Sequence, residues 1–341
     1  MKQTVTNQKV MTMTSDRLLN LGLIVACALS LITACFLGST SMSASRVLAA
    51  IFGQGSSGDT LVIWQIRLPR ALAALMVGAA LGASGAALQG LLRNPLAEPG
   101  VLGVSSAAVL GATLSLYYGA AGFSPWVLPI ASILGALLAT TIIAIAAIRT
   151  QSVVTLILIG VGLSSFAGAA MSLLMNFAPN PFSLADMVNW MLGSVSNRSY
   201  REIGFAAPFM AVGLAIIFAS RRGLSALTLG EEAASGLGLN LKTQRLAVVI
   251  GTGLATGAAV SIAGAIGFVG IVAPHIMRPL VGHDPARSIL PSTLLAGLFL
   301  VLADIGVRLL PTQSELKLGV VAAIFGAPAF IWIALQRGRR T

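Results

Sequence analysis

PGVLGVSSAAVLGATLSLYYGAAGFSPWVLPIASILGALLATTIIAIAAI, residues 99–148, runs for fifty residues without an Asp, Glu, Lys or Arg. A helix crosses a bilayer in about 20 apolar residues, so this stretch is too long for one crossing and fits two. Gly122, Ser124, Pro125 and Pro129 supply the break between them. The rest of the chain divides in the same way. Residues 18–45 hold one span, at 18–37, and 71–92 hold the second. The fifth ends near Met175, before the Asn-Phe-Ala-Pro-Asn-Pro breaker at 176–181. Residues 203–220 form the sixth. Residues 246–277 fit one full crossing and a shorter second, with Gly264, Gly267 and Gly270 at the changeover. The ninth and tenth fall at 288–308 and 318–336. The expectation is an all-α polytopic membrane domain of about ten helices over 18–336, with short tails at 1–17 and 337–341.

Composition agrees. Of 341 residues 56% are apolar and 9% charged, and the mean hydropathy is +0.92. Soluble chains carry about 25% charged residues, so an ordinary cytosolic enzyme and a disordered chain are both excluded. Cys27 and Cys35 lie eight residues apart in one span, roughly 12 Å along a helix and beyond disulfide reach. The 18–37 stretch has full span length and no small-residue cleavage site, so it reads as a span and not as a cleaved signal.

In a soluble protein the net charge of +11 would point to nucleic acid; here it is sorted by membrane side. An even number of spans puts both termini on one side. With the N-terminus inside, fourteen basic residues fall inside and seven outside (Arg46, Arg67, Arg70, Arg198, Arg201, Arg308 and Lys317). The bias predicts cytoplasmic termini, and the outer seven ask for a partner or a lipid contact.

The largest polar inner loop, 221–245, contains a short amphipathic helix at 227–239 ended by glycines. It lies on the headgroups or meets a protein, and the adjacent acids Glu231 and Glu232 favour a protein over anionic lipid. Gly78, Gly82, Ala86 and Gly90 share one helix face, as do Gly253 and Gly257, which lets backbones approach closely. The second and seventh spans are both Gly/Ala-rich and each precedes a broken short segment, a hint of inverted repeats at 71–200 and 246–336.

Catalytic chemistry is scarce. None of the four lysines follows a glycine, so the chain has no P-loop. No His/Cys/Asp/Glu group has metal-ligand spacing. Asp304 is the one acid read as lying well inside a span, four residues before Arg308 in the favourable order for a helical ion pair near the membrane surface. Met171 and Met175 are one turn apart; packing is the default reading, a soft pore lining the sharper one. His275 and His283 read as packed or interfacial ahead of haem ligands. Such a bundle conducts passively, couples to a cation, or borrows energy through its inner loop.

Three stretches narrow the choice. VIWQIRLPR (62–70) leads into VGAALGASGAALQ (77–89) and RNPLAEPGVLGV (93–104); GAIGFVGIVAPHIMR (264–278) and LGVVAAIFGAPAFIW (318–332) follow. From about residue 60 onward the chain closely resembles the FecCD-type permeases of bacterial ABC importers for iron-siderophores, haem and vitamin B12. The resemblance implies the type II importer arrangement in the inner membrane. A homodimer of ten-helix subunits sits on two copies of a P-loop ATPase that hold ATP and Mg, while this chain binds no cofactor and no metal. A periplasmic substrate-binding protein docks on the other side. By the same resemblance, Leu229, Gly230, Glu231, Glu232, Ala233, Gly236 and Gly238 form the coupling segment seated in the ATPase. Arg67, Arg70 and Arg308 dock the binding protein. Ser152, Val153, Val154 and Thr155 form the cytoplasmic gate, with Met171 and Met175 further along the path. The apolar Val153–Val154 pair differs from the hydroxyl-bearing versions of the vitamin B12 branch and points to haem ahead of a ferric siderophore, with vitamin B12 as the alternative.

Overall fold

The computed structural model describes residues 2–150, 152–310 and 315–338, with side chains over 15–150, 152–310 and 315–331. Residues 339–341 of the expected C-terminal tail lie outside the described residues, as do the side chains of Lys2, Lys9 and Arg337. In chain order the helices are α1 (Lys2–Phe36), α2 (Ala44–Ile51), α3 (Ser57–Leu61), α4 (Leu68–Leu91), α5 (Val104–Tyr117), α6 (Val127–Arg149) and α7 (Val153–Asn176). They continue with α8 (Pro181–Met191), α9 (Tyr200–Ala226), α10 (Glu231–Gly236), α11 (Leu241–Ala263), α12 (Val269–Leu280), α13 (Pro285–Leu309) and α14 (Leu318–Gly338). No strand occurs among the described residues.

Seven of the described helices are long and apolar enough to cross a membrane, and α5 and residues 318–331 are shorter apolar helices. The 99–148 stretch does split in two, at 118–126. The breaker at 176–181 does more than end α7. Asn180 caps a further helix, α8, by accepting from the Ser183 N–H at 2.8 Å, and Pro181 sits in its first turn.

Helices α4 and α11 form the centre, each with 78% of its most apolar window buried. Their small residues permit this. A Cβ on Gly78 would lie 2.3 Å from the Ala296 carbonyl oxygen of α13, so α4 and α13 meet backbone to backbone. Gly82 meets Ser292 and Ala296 on the same face, while Gly253 and Gly257 of α11 meet Thr140 and Ala136 of α6. In lipid no hydrophobic force drives helices together, so close packing of this kind carries the association.

Arg287 at the start of α13 donates to Asp16 near the middle of α1 at 2.6 Å, and Arg308 near the end of α13 donates to the Ala34 carbonyl near the end of α1, which sets these two helices parallel. Contacts of Gly78 with Ala296 and of Gly90 with Pro285 set α4 antiparallel to α13. After α4 and after α11 the chain leaves helical geometry, at 92–98 and at 264–268, as the glycine and proline positions predict.

Candidate functional site: a glycine-broken segment, a half-covered helix and a buried arginine cluster

Helix α1 stops at Phe36 and leaves the carbonyls of its last turn without helical N–H partners. Two arginines distant in sequence supply them. Arg67 donates to the carbonyls of Cys35 (2.8 Å), Phe36 (3.0 Å) and Thr40 (2.5 Å). Arg308 donates to that of Ala34 at 3.2 Å. Cationic groups also suit the negative end of the helix dipole.

Asp304, 1% exposed, holds the cluster together. Its Oδ2 accepts from Arg308 at 2.5 and 2.9 Å, and its Oδ1 from Arg70 at 2.7 and 2.9 Å. Arg70 also pairs with Glu315. Burial pushes the Glu315 carboxyl up, but the hydrogen bond and charge of Arg70 outweigh it and hold the group below its ordinary range.

The expected Asp304–Arg308 pair is therefore present, but it is buried and shared with a third residue. Arg67 and Arg308 are 4% and 8% exposed, so in this arrangement they present no surface for docking. Their guanidiniums are turned inward because unpaired helix-end carbonyls and a buried carboxylate outbid solvent. Arg46 and Arg198 find Asp59 (2.5 Å) and Glu202 (2.7 Å). Much of the positive charge expected outside is thus answered within the chain, and Arg201 remains exposed.

At the other end, residues 227–239 form two pieces where one helix is expected. A 3₁₀ turn covers Leu227–Leu229, then Gly230 at φ 100°, open to glycine alone, breaks the chain before α10. Gly238, at φ 88°, ends the segment. Leu227 and Ala234 are buried against the bundle, while Leu229, Glu232 and Ala233 are exposed. Glu231 turns inward to Arg245 of α11, at 2.7 Å. A cavity of about 910 Å³ opens beside α10, between it and the start of α11.

Ser152 caps α7 by accepting from the Thr155 N–H at 3.2 Å. The buried stripe of α7 is Leu156, Gly160, Ala167 and Met171, at helical spacing against the bundle. Met171 belongs to the core on this stripe, not to an open path, because four-residue spacing returns it to the packed face. Val154, Leu158, Val161 and Phe166 are exposed on the opposite side, and only 17% of the most apolar window is buried, the lowest share of the long helices. Met175 is half-buried near the far end.

One residue that sequence reading passed over connects the two non-helical segments. Glu98, half-buried, accepts from the Phe268 N–H at 3.1 Å, where Phe268 takes φ 67° at the start of α12. Its signal is a lone acid between two proline-bearing turns (Pro95 and Pro99). Glu98→Gln keeps an acceptor and is expected to retain stability. Glu98→Ala strands the N–H and is expected to cost about 1–3 kcal/mol, read as a lower melting temperature in detergent. Equal melting temperatures for the two variants would show that this bond contributes nothing.

Among the described residues no group of three or more His, Cys, Asp or Glu could hold a metal. The ensemble is an all-helical membrane bundle with a small exposed segment at one end and no catalytic constellation in the sites above. The chain belongs to the FecCD transport family, whose pattern matches residues 23–336, and proteins of that family are ABC transporter permease subunits. It is 39% identical over 326 residues to the uncharacterized ABC transporter permease protein YvrB of Bacillus subtilis (strain 168), covering 92% of each chain. It is 42% identical over 285 residues to the vitamin B12 import system permease protein BtuC of Salmonella typhi, covering 83% of this chain and 86% of that one. Its fold matches a solved metal-chelate type ABC transporter in an inward-facing conformation, with TM-score 0.83 and 29% identity over 93% of this chain and 98% of that one.

Proposed function

We propose that the chain is the permease subunit of an ATP-driven importer that carries a large metal chelate from periplasm to cytoplasm. The family match across 23–336 carries this reading. It includes ten crossings with α5 and α12 as the short ones, both termini cytoplasmic, and the inner membrane as the location. A second copy covers the exposed apolar face of α7, and the translocation path runs between the two copies, past Ser152, Val153, Val154 and Thr155. Leu229, Glu232 and Ala233 meet a P-loop ATPase, with Gly230, Gly236 and Gly238 shaping the segment; ATP and Mg belong to that partner.

Identity to vitamin B12 permeases supports a corrinoid cargo. The exposed Val154 beside Val153 supports haem, since both pack against a flat apolar ring. A periplasmic binding protein delivers the chelate. With Arg67 and Arg308 turned inward, we assign its contact to exposed polar groups at that end, Arg201 among them, with Arg70 beneath.

Reconstitution tests the reading. The chain, its co-encoded ATPase and binding protein are expected to take up one of haemin, cyanocobalamin or a ferric hydroxamate into liposomes only with ATP. Tryptophan quenching of the binding protein selects among the three. Uptake driven by an ion gradient without ATPase would replace the reading with a cation-coupled carrier. Glu232→Lys together with Leu229→Asp is expected to lower ATPase co-purification at least tenfold without changing the melting temperature of the isolated chain. Undiminished co-purification would remove the segment from the interface.

A further inference from the structure

Glu231 and Glu232 are neighbours in sequence but not in surroundings. Glu232 is exposed, whereas Glu231 pairs with Arg245, whose side chain is 3% exposed. Arg245 sits in the second turn of α11, the central helix, and its planar fork reaches two acceptors at once. One terminal nitrogen donates to Glu231 Oε1 at 2.7 Å, the other to the Thr150 carbonyl at 3.4 Å. Thr150 closes α6, and two residues later Ser152 caps α7. One side chain therefore touches α10, α11 and the α6–α7 junction.

No other ion pair ties α10 to the bundle among the described residues. The preceding end of this segment is anchored separately, where Ser225 Oγ bonds Asp284 Oδ1, the N-cap of α13, at 2.5 Å. The cavity of about 910 Å³, lined by Arg93, Leu229, Glu232, Lys242 and Arg245, leaves α10 room to shift. If α10 shifts, Glu231 cannot leave Arg245 behind without stranding a buried guanidinium, which is far costlier than keeping the pair.

We propose that Arg245 is a positioning residue that transmits displacement of α10 to the α6–α7 junction, through Glu231 on one side and the Thr150 carbonyl on the other. The proposal rests on the functional reading above, in which the 229–238 segment receives the ATPase. It divides the two acids: Glu232 faces the partner, and Glu231 passes the movement inward. A lysine at 245 keeps a cation opposite Glu231 but has no rigid fork to hold both acceptors.

The test uses Val154→Cys as a reporter at the head of α7, in a chain carrying Cys27→Ala and Cys35→Ala, assembled in nanodiscs with the co-encoded ATPase. The rate of labelling by a charged maleimide is compared with and without ATP and vanadate. The otherwise unaltered complex is expected to change its rate at least tenfold. In Arg245→Lys the change is expected to fall below twofold while ATPase co-purification and melting temperature stay near the unaltered values. Glu231→Gln, of the same shape but uncharged, is expected to lose at least half of the response, and it decides the matter if Arg245→Lys fails to assemble. A full response in either assembled variant would overturn the relay alone. Absence of any ATP-dependent change in the unaltered complex would overturn the functional reading and the relay with it.

Discussion

Asp304→Ala is expected to remove most of the folded, monodisperse protein from detergent extracts. Both carboxylate oxygens are engaged, one by Arg70 and one by Arg308, and the side chain is 1% exposed. Truncation leaves the inward-facing Arg308 without its anion and Arg70 with Glu315 alone. Removing one partner of a buried pair costs about 3–5 kcal/mol, a large part of a total stability of about 5–15 kcal/mol. The loss also spreads, because Arg308 oriented by Asp304 is what reaches the Ala34 carbonyl at the end of α1. Asp304→Asn, isosteric but with one acceptor oxygen, is expected to fall between the two. The measurement is the melting temperature by intrinsic fluorescence with the monodisperse fraction on size exclusion. A melting temperature within about 2 °C of the unaltered protein would show that the cluster is structurally idle. A surface docking pair behaves differently: it is worth about 0.2–1 kcal/mol and leaves the fold untouched.

Gly78→Leu is expected to be as damaging, for a steric reason. Its first added atom would lie 2.3 Å from the Ala296 carbonyl oxygen and 2.8 Å from the Gly297 Cα, both backbone atoms of α13. Neither can yield without moving a helix that also holds Asp304 and Arg308. Separation of α4 from α13 exposes no large apolar surface to water, so nothing but lost packing resists it, and the bundle is expected to aggregate. Gly22→Leu on α1, where no atom lies within 4 Å, is the matched control and is expected to be neutral. Equal yields of the two variants would mean that the α4–α13 approach does not hold the bundle.

How much of this was legible beforehand depends on the range of the interaction. The split of 99–148, the break at 264–268 and the glycine faces of α4 and α11 follow from local rules: span length, helical period, and the residues that interrupt a helix. The stop and restart at 176–181 was half legible, since α7 ends at Asn176 and the Asn180-Pro181 pair at the far side of the same breaker caps α8. The role of Glu98 leaves no mark in the sequence, because its partner is a backbone N–H at Phe268, which no side chain announces.

Apolar run lengths and charge spacing are properties of the linear chain, and they already define a membrane bundle with a polar, acid-bearing segment at one end and no catalytic chemistry visible in its motifs. Its family was legible as well, through extended motifs in order. What the charges do is set by packing between distant parts of the chain. Arg70 finds Asp304 at a separation of 234 residues, Arg67 finds the end of α1, and Glu231 parts company with Glu232 to meet Arg245. The physical reason is the same in each case. A buried guanidinium must find anions or unpaired carbonyls wherever packing brings them, and helix-end carbonyls leave no mark on the sequence.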